Sequence, residues 1–280
     1  MTKIPYLHEH LPLTRGCTKV GSGCAHCFAE ALSERFPACR PDPAQHHPFD
    51  ANCPIITLPD NLKKPLHWRK PRRVGVCFMS DLFHEKVPDE FLDKVFAVMA
   101  LTPQHTYVLL TKRPERMRAY LRREDHAELV YQAARHLRSQ GLPTGSYVVP
   151  SWPLPNIWLG VSVENQEAAD ERIPLLLETP AAHRWLSVEP MLGPIDLSRY
   201  LPSPLHRLTG RPMLDWIVVG GESGLKARPC EIEWMSDLQQ QCLPADVPFY
   251  CKQDSGPRPG MQGRIPDALW TCKMLPEGWA

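Results

Sequence analysis

Six short, nearly continuous apolar segments constrain the fold of this chain more than any other feature. They are Val74–Ser80, Thr106–Thr111, Ile157–Ser162, His183–Ser187, Trp216–Gly220 and Pro248–Lys252, with a seventh at Leu11–Arg15. Rich in Val, Ile, Leu and Trp, they read as strands covered on both faces, the habit of parallel sheets. Helical patterns lie between them. Phe91, Leu92, Val95, Phe96 and Met99 form an apolar stripe at helical spacing, behind Pro88, Asp89 and Glu90 in first-turn positions. Arg113–Arg123 and Ala127–Leu137 are helical in pattern, as is Glu167–Leu177, with a break expected at Pro174. Trp234, Leu238 and Cys242 align at i, i+4, i+8 ahead of Pro244. Strand alternating with helix predicts an α/β fold: a parallel sheet of six or seven strands with right-handed helical crossovers, open or closed into a barrel.

The composition agrees with one large domain spanning 1–280. Apolar residues make up 43% and charged residues 22%, which excludes disordered and collagen-like chains. The longest apolar run, Val95–Leu101, is far short of the ~18–20 residues of a membrane span. Residues 1–15 lack the apolar stretch of a signal peptide, so a cytoplasmic protein with no membrane partner is expected. In that compartment ten cysteines read as thiols or metal ligands rather than disulfides. The 31 prolines mark loops, above all Pro37–Pro59, Leu142–Pro155 and Leu201–Pro212, which read as insertions. The tail after Lys252 reads as a terminal wrap. A formal net charge of +1 leaves room for a local basic groove only.

Polar residues follow every strand segment. They are Ser80-Asp81, Thr111-Lys112-Arg113, Ser162-Val163-Glu164, Ser187-Val188-Glu189, Gly220-Gly221-Glu222 and Lys252-Gln253. Polar residues also cap strands and start helices, but parallel α/β folds bind ligands outside the carboxyl ends of strands. Six such ends together predict a functional mouth.

The sharpest motif is Cys17-x6-Cys24-x2-Cys27. Gly21 and Gly23 are expected to let the loop curl so that three thiolates face one point. Cys27 runs into a predicted helix, Phe28–Arg35, whose N-terminus favours thiolates. Three soft ligands suit zinc or an iron–sulfur cluster. A closed zinc site needs a fourth ligand, for which His26, His10, Cys39 and Cys53 are the candidates; a three-ligand cluster leaves one iron open for chemistry. Cys77, Cys242 and Cys251 read as core residues.

With these residues in place, the chain resembles a phage- and prophage-associated family of unassigned function. That family carries an N-terminal three-cysteine motif and is related to the radical S-adenosylmethionine (SAM) superfamily. The matching stretches are Gly16–Glu30, Trp68–Glu85, Val87–Arg118, Pro155–Leu177, Leu186–Leu197, Asp215–Pro229 and Pro248–Gln253, about half the chain in the right order. The resemblance implies a partial TIM-type barrel with a [4Fe–4S] cluster on Cys17, Cys24 and Cys27. SAM would bind the open iron and, with an external electron donor, be cleaved to start radical chemistry on a substrate in the barrel mouth. A phage-encoded partner protein is a further expectation. There are two departures. The first cysteine gap is six residues rather than the superfamily's usual three. Where the superfamily carries a Gly-Gly-Glu stretch for the SAM amino group, this chain has Met79-Ser80-Asp81, and its Gly220-Gly221-Glu222 comes four strands later. Ser80, Asp81, Ser162, Glu164 and Glu189 are therefore the expected SAM contacts. Lys112, Arg113, Glu222 and Lys252 are the expected substrate contacts.

A basic run, Lys63, Lys64, Arg69, Lys70, Arg72 and Arg73, surrounds Trp68 and contains no acid. It suits a nucleic-acid backbone and a stacked base, or equally a solvated approach to a strand with Trp68 in the core. A nucleic acid or nucleotide is the expected substrate. Two other functions fit the same residues: a nucleic-acid-binding module stapled by zinc, and a metal-free barrel enzyme using acidic mouth residues for acid–base catalysis.

Overall fold

A computed structural model describes residues 4–45, 47–141, 152–203 and 210–279. The chain is α/β. Among the described residues nine strands occur in the order β1 Glu9–Leu11, β2 Thr14–Arg15, β3 Ile56–Thr57, β4 Arg73–Val76, β5 Thr106–Thr111, β6 Ile157–Ser162, β7 His183–Val188, β8 Trp216–Gly220 and β9 Phe249–Gln253. Seven of them form one all-parallel half-barrel sheet in the order β1-β4-β5-β6-β7-β8-β9, while β2 and β3 form a separate antiparallel pair. The helices are α1 Phe28–Arg35, α2 Asp89–Leu101, α3 Pro114–Leu121, α4 His126–Ser139, α5 Gln166–Glu178, α6 Ile232–Ala245 and α7 Asp267–Trp270. Among the described residues no helix is long and apolar enough to cross a membrane.

Two compact units make up the chain. The first comprises Met1–Thr18, Ser33–Leu159 and Thr179–His183. Here β4 pairs in parallel with β1 and β5, Val74 lying opposite both Glu9 and Tyr107. Helix α2 buries the predicted Phe91, Leu92, Val95, Phe96 and Met99 stripe and packs on α4. The second unit comprises Lys19–Leu32, Gly160–Glu178 and Arg184–Ala280. Its strands β7, β8 and β9 pair in parallel, with Trp185 opposite Trp216 and Ile217 opposite Phe249. Every residue of β8 is buried, as the continuous apolar run requires.

Three local expectations are corrected. The Leu11–Arg15 segment is two strands, because Pro12 has no N–H to continue a ladder and its carbonyl instead accepts from Asn61 Nδ2 at 2.6 Å. Strand β4 stops at Val76, not Ser80: Cys77 adopts φ +57°, and its Sγ accepts from Leu13 N–H at 3.4 Å, so the chain turns instead of extending. Cys77 is thus core, as expected, but not in a strand. Helix α5 runs through Pro174, held by the fully buried Ile173 and Leu176 on either side of the missing hydrogen bond. The Pro37–Pro59 segment is tied down through β3, which pairs with β2. The expected insertions at 142–155 and 201–212 lie mostly outside the described residues, at 142–151 and 204–209.

His126 is buried in an aromatic nest, with ring centroids 4.2 Å from Trp152, 4.8 Å from Tyr120 and 5.7 Å from Phe96. Neither ring nitrogen has a partner, and burial lowers its pKa to about 4. Burial does the same to His10, whose Nε2 accepts the Phe78 N–H at 3.2 Å and must stay unprotonated to do so. A histidine held neutral in the fold leaves stability unaffected above pH 6.5. Below that the unfolded chain takes up the proton first, so stability falls with pH until about pH 4. Each histidine should withdraw about 3 kcal/mol over that window, at ~1.4 kcal/mol per unit. Urea unfolding of His126→Phe should lose about 3 kcal/mol less than wild type over that window; an unchanged pH profile would exclude this source.

Candidate functional site

In the first unit the turn after β4 and the end of β5 hold the start of the cysteine loop. Asp81 is buried and accepts four hydrogen bonds: Thr111 Oγ1 at 2.7 Å, Phe83 N–H at 2.9 Å, Lys112 N–H at 3.1 Å and Arg113 Nη1 at 3.1 Å. Arg113 is buried as well. Its Nε donates to Glu85, its Nη1 to Asp81 and to Cys17 Sγ at 3.8 Å, and its Nη2 to Thr18 O and Thr18 Oγ1 at 2.9 and 2.7 Å. Burial by itself lowers the Arg113 pKa; Asp81, Cys17 and Glu85 outweigh it and hold the guanidinium above its ordinary value. His84 completes the bracket. Its Nδ1 accepts Lys86 N–H at 3.1 Å, so in the neutral ring Nε2 carries the proton and donates to Thr18 Oγ1 at 3.0 Å. Ser80 Oγ is 2.6 Å from Thr14 Oγ1 and donates to Thr14 O.

In the second unit the rest of the loop rests on the carboxylate after β6. Glu164 accepts from Gly23 N–H at 3.2 Å and Ser22 Oγ at 3.4 Å, and pairs with Arg172 Nη1 of α5 at 3.0 Å. The need for glycine follows from this contact rather than from a curl. Gly21 is extended, and a Cβ there would lie 3.0 Å from Glu164 Oε1; one at Gly23 would lie 3.1 Å from the same carboxyl. The carboxylate after β8, Glu222, pairs with Arg228 at 2.6 Å and with His26 Nδ1 at 3.0 Å, while Arg228 Nη2 donates to Ser22 O at 3.0 Å. Burial raises the Glu222 pKa, but its bonds to Arg228 and His26 win and leave it below the ordinary range. Lys19 pairs with Glu30 at 2.8 Å; that bond raises its pKa, with help from Cys27 and Cys24. Glu189, after β7, accepts from Lys252 Nζ at 2.6 Å and Ser187 Oγ at 3.0 Å; Ser162 Oγ donates to its carbonyl.

All ten cysteines are free thiols. Cys17, Cys24 and Cys27 are half-buried, whereas Cys53, Cys77, Cys230, Cys242 and Cys251 are buried. Among the described residues no three His, Cys, Asp or Glu side chains are gathered as a metal centre. The fit of the three thiols to a metal therefore rests on donor chemistry: unbridged, half-buried sulfurs, with the Arg113 guanidinium donating to Cys17 Sγ. Of the fourth-ligand candidates, His10 has its Nε2 lone pair on Phe78 and His26 has Nδ1 on Glu222. Cys53 is buried, its Sγ 3.2 Å from where a Cβ on Gly16 would stand.

A family model described as a protein of unknown function, DUF5131, matches residues 1–264. The chain belongs to the DUF5131 family. No curated protein and no solved structure matches it.

In this DUF5131 chain every expected acidic site residue has its own cation. Sequence reasoning finds the acids but misses the partners Arg172 and Arg228, and it assigns Arg113 to substrate when all five of its N–H groups are aimed at protein acceptors. The signal for two of them was present: an arginine follows each acid in the same strand–helix unit, eight residues after Glu164 and six after Glu222. Removing one partner of a buried pair costs about 3–5 kcal/mol, because the other charge is left uncompensated. Side-chain exposure is 2% and 5% for Glu164 and Arg172, against 15% and 21% for Glu189 and Lys252. Glu164→Ala should therefore lose stability in that range and Glu189→Ala about 1 kcal/mol or less, compared by urea denaturation at pH 7. Equal losses would mean that the Glu164 pair does not brace the loop.

Proposed function

We propose that the chain is a radical SAM-type enzyme in which Cys17, Cys24 and Cys27 hold an iron–sulfur cluster. The observation that carries this reading is the bracing of a loop that bears three unbridged cysteines. Arg113 fixes Cys17 and Thr18, and Glu164 fixes the Gly-Ser-Gly segment before Cys24. Bound there, a [4Fe–4S] cluster and SAM supply one-electron cleavage of a carbon–sulfur bond, with the electron from an external donor. Arg113 and Lys19 offset the negative charge of the thiolates, and the buried pairs keep the loop from moving. Glu189 is more accessible than Asp81, Ser162 and Glu164 and suits an ammonium or a ribose diol. Asp81 and Glu164, engaged within the protein, act as positioning residues. Anaerobic reconstitution tests the reading. Wild type should bind iron and acid-labile sulfide, and Cys17→Ala, Cys24→Ala and Cys27→Ala should each lose both, while Cys39→Ala keeps them. Glu189→Gln should weaken SAM binding at unchanged iron content. A colourless protein carrying one zinc, or iron retained in all three cysteine variants, would overturn the assignment.

The substrate in this reading is a nucleotide or nucleic acid. Its support is the acid-free basic run, where Lys63, Lys64, Arg69 and Lys70 are exposed. Trp68 is half-buried, edge-on to His105, with Arg72 over its ring at 5.2 Å, so it is occupied as a stacking platform. The run enters β4 at Arg73, the amino end of that strand, and so would grip backbone phosphates rather than the reacting group. Binding of single-stranded DNA or RNA should weaken with salt, and the slope should fall by about one for each of these four residues changed to Ala. Salt-independent binding, or an unchanged slope in the quadruple variant, would remove the nucleic acid from the proposal.

A further inference from the structure

The tail after β9 returns along the outer edge of that strand. Tyr250 bridges to Lys273 in antiparallel register; Cys251 N–H donates to Cys272 O at 2.8 Å and Met274 N–H to Phe249 O at 3.1 Å. Directly opposed side chains share a face, as Lys273 Nζ shows by lying 5.3 Å from the centre of the Tyr250 ring. One residue further, Cys251 and Cys272 oppose each other on the other face. That face is covered by α6, which packs on β9 and whose Gln239 Nε2 donates to Cys272 Sγ at 2.7 Å. Opposed residues at such a position have Cα atoms about 5.5 Å apart, inside the ~4.4–6.8 Å range that a disulfide spans.

We propose that Cys251 and Cys272 form a reversible disulfide that latches the C-terminal tail onto β9. Both are thiols in this structure. Cys251 is wholly buried and Cys272 half-exposed, so Cys272 is the thiol an oxidant meets first. A low-molecular-weight disulfide such as oxidised glutathione supplies the oxidising equivalents. Cys272 attacks it, forming a mixed disulfide and releasing one reduced glutathione. Cys251 then attacks the Cys272 sulfur, forming the protein disulfide and releasing the second. Two protein thiols lose two electrons and two protons, and both reduced glutathiones account for them. The tail Cα ladder is half-made at this point, since Cys272 N–H turns to Leu269 O at 3.1 Å, so the tail has freedom to close the remaining gap. Closing it covers the edge of β9, the strand that presents Lys252 to Glu189.

The test uses the full chain incubated with oxidised glutathione without oxygen, then digested under non-reducing conditions. A peptide pair joined through Cys251 and Cys272, located by fragmentation, is expected; it should vanish in Cys272→Ser and persist in Cys242→Ser. Oxidation should slow tryptic cleavage after Arg264 at least about fivefold, and dithiothreitol should restore it. Cys272 recovered only as its glutathione adduct, or joined to Cys230 or Cys242, would overturn the proposal. So would tail cleavage that oxidation leaves unchanged. Cys272 is half-exposed, so its serine variant folds without demands on the core.

Discussion

The structure depends on the pairing of a carboxylate after each of four strands with a cation of its own. Asp81 has Arg113, Glu164 has Arg172, Glu189 has Lys252 and Glu222 has Arg228. Buried ion pairs add little net stability over apolar residues of equal size, because desolvation offsets the Coulombic gain. Their value here is positional. Three of the pairs also bond to backbone or hydroxyl groups of a loop: Arg113 to Thr18, Glu164 to Gly23, Glu222 to the Arg228 N–H. A charged group with several fixed partners has one orientation, and the loop it binds inherits that orientation.

The glycines around these pairs follow the same logic. A side chain at Gly220 would meet Glu189 Oε1 at 3.0 Å, and one at Gly221 would meet Ser255 N at 2.3 Å. Gly21 and Gly23 are places where a backbone closes on the buried Glu164, and Gly220 is where one closes on the half-buried Glu189. Gly-Gly-Glu after β8 is thereby explained without a ligand, by its contacts with Ser255, His26 and Arg228.

The legible part of the fold was what burial writes into a sequence. Thr106–Thr111, Ile157–Ser162, Trp216–Gly220 and Phe28–Arg35 have the bounds their patterns predict, since a run covered on both faces ends where polar residues begin. The failures came where a single contact outweighs pattern. Val-Gly-Val-Cys-Phe-Met reads as one strand, yet Cys77 turns the chain because its sulfur has two donors in Leu13 and Thr14. Pro174 reads as a helix break, yet buried neighbours keep α5 intact. At the site, acids at strand ends were legible because topology puts them there. Their cations come from helices, loops and, as with Lys252 and Glu189, a strand 63 residues away, and no periodicity marks such a pair.

The same pairing decides between the chemistries that the acidic residues suggest. General acid catalysis near neutral pH needs a carboxyl with a raised pKa, in an apolar pocket or beside another acid. Here Glu222 is pushed below the ordinary range by Arg228 and His26, and Asp81 and Glu164 each face a guanidinium. Glu222, held in that state, has no proton to give near neutral pH. An acid–base mechanism would have to break a buried pair first, at a cost of several kcal/mol before any bond in a substrate changed. The cysteine sulfurs are half-buried and unbridged, and Cys17 shares the Arg113 guanidinium with Asp81.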